Sequence, residues 1–120
     1  MGGSNMKMVA AVIKHSTLDA VRDALTGLGV HGMTVVDVKG FGRQKGHTEI
    51  YRGHKVDVHY LPKLKVEVAV ENSMVDKVIK AVSEYAKTSP EGNIGDGKIF
   101  VYPLDEVVRI RTGETGEEAL

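Results

Sequence analysis

The segment Gly40-x-Gly42-Arg43-Gln44-Lys45-Gly46 gathers glycines, two cations and a side-chain amide into one short stretch. Glycine lets a backbone approach a ligand closely and present its amide N–H groups, and phosphate is the anion such a turn attracts. A hairpin-like turn fits the same residues taken alone, because neither the Walker pattern nor the full dinucleotide fingerprint is present. Ile94-Gly95-Asp96-Gly97-Lys98 repeats the theme, with two glycines and then a cation just ahead of a strand-like run. In extended geometry Arg109-Ile110-Arg111 throws both guanidiniums to one side. Two planar forks on one face suit a polyphosphate, although paired arginines on an edge strand also discourage aggregation. Jointly the three segments point to an anion or nucleotide site assembled from loops.

Other chemistries find less support. The chain has 120 residues, no Cys and 16 Lys+Arg against 16 Asp+Glu, so thiolate chemistry, disulfides and general polyanion binding are excluded. Lys39-Gly40-Phe41-Gly42 matches the opening of an RNA-recognition signature, but Arg43, Gln44 and Gly46 follow where aromatics must stack on bases. Nucleic acid is therefore not an expected partner. No Ser, Thr or Lys stands in a recognisable activated context for nucleophilic catalysis. His47, His54 and His59 share one polar segment without metal-site spacing, while Glu117-Glu118 read as solvated charge. Apolar runs are far too short to span a bilayer.

The elements that must position these segments follow from periodicity. Met8–Ile13 reads as a strand buried on both faces. Ser16 or Thr17 then caps a helix with the stripe Leu18, Val21, Leu25 and Leu28, stopped by Gly29. Met33–Lys39 returns to strand chemistry. In the second half, Leu64, Val66, Val68 and Val70 alternate with polar or small residues as a strand. Ser73 and Asp76 at capping-box spacing open a helix with Val75, Val78, Ile79 and Val82 on one stripe and Ala86 in line. Lys98–Tyr102 is a fourth strand ended by Pro103, and Val107–Arg111 is a candidate fifth. This order predicts an α+β, ferredoxin-like βαββαβ sandwich. Residues 40–62 form a long polar connection without a hydrophobic stripe, which in a compact domain is usually functional or disordered. Residues 1–5 read as a disordered leader or appended remnant, and Met6 as the natural start.

The run Gly40-Phe41-Gly42-Arg43-Gln44-Lys45-Gly46-His47-Thr48-Glu49-Ile50-Tyr51-Arg52-Gly53, followed by Leu61-Pro62-Lys63, Gly95-Asp96-Gly97-Lys98-Ile99-Phe100-Val101 and Val108-Arg109-Ile110-Arg111-Thr112-Gly113-Glu114, closely resembles the PII nitrogen-regulatory signal-transduction proteins. The resemblance covers essentially the whole chain after Met6. It implies a PII-like domain over 6–112, a C-terminal tail over 113–120, and a compact homotrimer with protruding T-loops at about 42–60. It further implies a non-enzymatic cytoplasmic sensor that binds ATP or ADP competitively in clefts between subunits. By that resemblance Thr34, Gly42, Arg43, Gln44, Gly95, Asp96, Gly97, Lys98, Arg109 and Arg111 surround the nucleotide. Gln44 would complete a Mg²⁺ shell with ATP and 2-oxoglutarate, and Lys63 would pair with the distal carboxylate of the oxoacid. Arg52, with Tyr51 beside it, would face a partner, either an ammonium channel or a nitrogen-assimilation enzyme or regulator.

Some positions depart from the family pattern. Val56 stands where the family's modified tyrosine aligns and His54 where a phosphorylated serine does, so neither modification has its acceptor. The segment 88–93 is about three residues longer than the common form, at low entropic cost, and Asn93 replaces a usual basic residue. Two alternatives stand beside the sensor reading: a divergent adenylate sensor responding to another small anion, and a slow ATPase, for which no general base is evident.

Overall fold

The computed structural model describes residues 5–41, 49–51, 54–56 and 60–120. Strand β1 (Met6–Ile13) leads through a 3-10 turn, His15–Thr17, into helix α1 (Leu18–Gly27), and the chain returns as β2 (Thr34–Gly40). Short strands β3 (Glu49–Tyr51) and β4 (His54–Val56) pair antiparallel as a separate two-stranded sheet. The connection expected to lack regular structure therefore carries some of its own. The second half repeats the first: β5 (Leu61–Glu71), a 3-10 turn (Asn72–Met74), α2 (Val75–Tyr85) and β6 (Gly97–Leu104). The four long strands form one antiparallel sheet in the order β2-β5-β1-β6. This is the expected ferredoxin-like sandwich.

Alternation along the strands decides which face is covered. Val9, Ala11 and Ile13 of β1 and Leu64, Val66, Val68 and Val70 of β5 pack against Val21 and Leu25 of α1 and Val78 and Val82 of α2. Met8 and Val12 on the opposite face of β1 are only half-buried, while Met6 and Ala10 are buried. The expectation of a strand buried on both faces thus holds only in part, because α1 and α2 both pack on the other side. Across the open face, register aligns Thr34, Glu67, Ala10 and Phe100 in one row and Val36, Lys65, Val12 and Lys98 in the next. Phe100 and Tyr102 remain 52% and 42% exposed there.

The helix starts differ from the sequence expectation. No side-chain cap bond is made at either N-terminus. At α1 the Thr17 hydroxyl instead donates to the Lys14 carbonyl at 3.0 Å, closing the preceding 3-10 turn. At α2 the turn Asn72–Met74 lies where the Ser73–Asp76 box was expected. The end of α1 is as expected: Gly29 adopts φ +91° while the amides of Gly29 and Val30 bond back to Thr26 and Leu25, a Schellman termination.

Val107–Arg111 is not a fifth strand. Among the described residues it contributes a single bridge, Val108 to Thr115, and Ile110, Arg111 and Thr112 form a turn. The Arg109 amide bonds to the Glu114 carbonyl at 2.9 Å and the Gly113 amide to the Arg109 carbonyl at 2.8 Å. The chain folds back on itself here, so the period-two argument for Arg109 and Arg111 loses its premise.

Candidate functional site

At the start of β6 the backbone comes unusually close to β1. Gly97 has φ +124°, and a Cβ there would collide with the Val12 carbonyl. The two residues before it are held from outside. The Lys63 ammonium donates to the Gly95 carbonyl. Lys14 Nζ, just past the end of β1, lies 3.2 Å from Asp96 Oδ1.

Asp96 is the centre of a closed network. Its carboxylate accepts from the Thr88 amide at 3.1 Å, the Thr88 hydroxyl at 2.7 Å and the Asn93 amide at 2.8 Å, while Asn93 Nδ2 donates to the Thr88 hydroxyl at 2.7 Å. Desolvation pushes the Asp96 carboxyl up, but the hydrogen bonds from Thr88, Asn93 and Lys14 outweigh it and hold the group at about 2. It is thus a carboxylate that braces its own loop. The 88–93 segment supplies two of its partners, Thr88 and Asn93, and the Asn93 side-chain amide ties the Thr88 hydroxyl in turn.

Lys63 is 7% exposed, an unusual burial for a lysine. Burial, and then repulsion from Lys14, lowers its ammonium below the usual lysine range, with Asp96 opposing. Its stem packs beneath the start of the long connection, where a Cβ at Gly40 would stand 3.2 Å from Lys63 Cγ. Phe41 and Tyr60 close the neck of that connection, their ring centroids 5.5 Å apart. One end of the sheet therefore gathers Gly40, Lys63, Lys14 and the Gly95–Lys98 loop.

Thr34 and Arg109 belong elsewhere. Thr34 opens β2, one row along the open face from Lys98 but on the opposite edge, three interstrand spacings or roughly 14 Å away. It lines a cavity with His31, Glu67 and Leu120. Arg109 follows the far end of β6, with Nη1 2.9 Å from Glu114 Oε1 and Nη2 3.1 Å from the Leu120 carbonyl. Arg111 sits in the turn beyond it. Gly42, Arg43, Gln44 and Arg52 lie outside the described residues, as does the side chain of Tyr51.

The sequence argument named Gly95 to Lys98 and Lys63, and the structure brings Lys63 to Gly95. It missed Lys14 and Thr88. A lysine ending a buried strand is the one signal in the sequence that points to Lys14, and none points to Thr88. Among the described residues, no three His, Asp or Glu side chains gather into a metal site.

Fold and site together define a ferredoxin-like α+β domain in which a glycine-containing loop, braced by an aspartate and two lysines, meets the neck of a long sheet-edge connection. Comparison with known proteins gives that class its family. Residues 6–114 match the family described as Nitrogen regulatory protein P-II. The Nitrogen regulatory protein P-II of Rhizobium etli is 60% identical over 115 residues, covering 96% of this chain and all of the relative. Nitrogen regulatory protein GlnK of Escherichia coli is 54% identical with the same coverage. The crystal structure of Arabidopsis thaliana PII bound to citrate superposes with a TM-score of 0.77 at 37% identity, covering 97% of this chain and 90% of that one. The chain belongs to the P-II nitrogen-regulatory family, whose relatives are nitrogen regulatory proteins by name. No described helix is long and apolar enough to cross a membrane.

Proposed function

We propose that this chain is a non-enzymatic sensor, working as a homotrimer in the cytoplasm, that binds ATP or ADP between subunits and binds 2-oxoglutarate together with MgATP. Through residues 42–60, with Arg52 and Tyr51 facing the partner, it controls an ammonium channel or a nitrogen-assimilation enzyme or regulator. The observation that carries this reading is the division of the phosphate-type residues into two groups. Lys63, Gly95 and Lys98 gather at one end of the sheet, while Thr34 lies on the edge opposite Lys98 and Arg109 beyond the far end of β6. Neither group surrounds a nucleotide alone, and a neighbouring copy supplies the complement. The exposed rings of Phe100 and Tyr102 on the same open face favour burial against such a copy.

The chemistry of the described donors fits anionic ligands. Lys63 and Lys14 flank one end of the loop, a setting that favours phosphate and carboxylate and repels a bare cation. Mg²⁺ accordingly enters on ATP phosphate oxygens, a hard centre on hard ligands, with Gln44 as the protein residue assigned to it. Lys63 is assigned the distal carboxylate of the oxoacid. The citrate on the Arabidopsis relative is in keeping with carboxylate recognition by this fold. A ligand with different affinity for two arrangements of the loop shifts their balance, and the partner reads that shift as a coupling free energy.

Calorimetric titration of the purified protein with ATP, ADP and 2-oxoglutarate, the last with and without MgATP, tests the reading. Binding of 2-oxoglutarate only with MgATP is the expected result. Adenylate binding without any 2-oxoglutarate response would replace it with a sensor of another small anion, and steady conversion of ATP to ADP would make the protein an ATPase.

A further inference from the structure

We propose that Lys14 is a positioning residue of the adenylate site, pinning the Gly95–Asp96 segment jointly with Lys63 so that each lysine masks the loss of the other. This rests on the reading in which Gly95–Lys98 embraces the nucleotide phosphates. The two lysines come from adjacent strands and grip adjacent residues: Lys63 holds the Gly95 carbonyl, and Lys14 holds the Asp96 carboxylate. Ile13 pairs with both Gly97 and Leu64, so Lys14, the next residue, is positioned between the loop and Lys63 by the register itself.

The pair at Asp96 is protected. The Lys14 and Asp96 side chains are 28% and 14% exposed, so salt screens their attraction less than that of a surface pair. Proximity also works between the lysines, since Lys14 adds to burial in lowering the Lys63 ammonium. An anion arriving at Lys63 therefore relieves a repulsion as well as finding a cation.

A consequence for the two-ligand state follows. A carboxylate that takes Lys63 competes with the Gly95 carbonyl for its hydrogens. Lys63 alone would then have to release the phosphate loop in order to accept the oxoacid, and the two ligands would oppose each other. With Lys14 retaining Asp96, and Asp96 retaining Thr88 and Asn93, the loop stays seated while Lys63 changes partner. Lys14 is what lets nucleotide and oxoacid occupy the site together.

The test is a double-mutant cycle on ADP affinity, measured by calorimetry for the full chain carrying Lys14→Met, Lys63→Met or both. Lys14→Met is expected to weaken ADP binding at least about tenfold more in the Lys63→Met background than in the unaltered chain, equivalent to about 1.4 kcal/mol of coupling. Lys14→Arg in that background is expected to restore most of the loss, because it keeps the cation. Equal effects of Lys14→Met in the two backgrounds, with ADP bound by the unaltered chain, would overturn this proposal and leave the nucleotide reading intact. Absence of ADP binding by the unaltered chain would overturn both. Should the double variant not fold, hydrogen exchange at the Thr88 and Asn93 amides of the Lys14→Met chain decides the matter with MgATP present. Faster exchange on adding 2-oxoglutarate supports the proposal, and unchanged exchange refutes it.

Discussion

Gly97 and Asp96 show how much of the site rests on single residues. Because a Cβ at Gly97 meets the backbone of Val12 rather than a side-chain tip that can swing away, Gly97→Ala is expected to cost more than about 2 kcal/mol. Gly29→Ala, also at positive φ but with open space around it, should cost about 1 kcal/mol. Urea denaturation of the two variants checks the contrast, and equal losses would show that the close approach at Gly97 is unimportant. Asp96 makes a different prediction. Its folded-state carboxyl titrates at about 2, below the ordinary value of 3.8, so its stabilising contribution is present above pH 4 and disappears as pH falls through about 2. The gap in urea midpoint between the native chain and Asp96→Asn should therefore be wide at pH 5 and narrow at pH 2. A gap that does not change over this window would mean that the hydrogen bonds to Asp96 do not favour its charged form.

At the scale of elements, periodicity carried the reading well and local chemistry less so. The alternation of Leu64, Val66, Val68 and Val70 announces β5 and its buried face, because only that register puts all four valine and leucine side chains under the helices. The helix stripes through Val21 and Leu25 and through Val78 and Val82 are equally plain. Caps are not legible in the sequence because a hydroxyl near a helix start has several uses, and Thr17 donates its own to the Lys14 carbonyl. The tail differs from its pattern because Val107–Arg111 alternates like a strand, whereas the chain turns back at residues 110–113 and pairs with its own residues instead of the sheet. Of the candidate site, the glycine loop is legible from residue types and Lys63 through the family resemblance, but Lys14 is not, since its role depends on which residues β1 brings opposite one another. The cap finding can be tested directly. With no side-chain cap bond at α2, Ser73→Ala is expected to change stability by less than about 0.5 kcal/mol, where loss of a true cap costs about 1 kcal/mol. A urea midpoint shifted by the larger amount would restore the capping box.

The sheet as a whole has one face sealed by two helices and one face open, and the proposed function depends on what closes the second. Rows of the open face run from Thr34 through Glu67 and Ala10 to Phe100, and from Val36 through Lys65 and Val12 to Lys98, so Phe100, which the proposed trimer would bury against a neighbouring copy, shares its row with Thr34, assigned to the nucleotide. Phe100 is the sharpest probe of this arrangement. It is half exposed in the single chain and lies outside the buried cluster beneath the helices, so Phe100→Asp should leave each subunit folded while placing a carboxylate where the proposed trimer has its contacts. A buried unpaired carboxylate costs several kcal/mol, or roughly a thousandfold or more in an association constant. The expected result is a fall in sedimentation mass from three chains to one, with the far-ultraviolet dichroism of the native fold retained. ADP affinity should fall with it, because separating the copies separates Lys63, Gly95 and Lys98 from the Thr34 and Arg109 of the next. A variant that sediments as a single chain yet binds ADP as tightly as the native protein would place the whole site within one subunit. Assembly would then have no part in sensing.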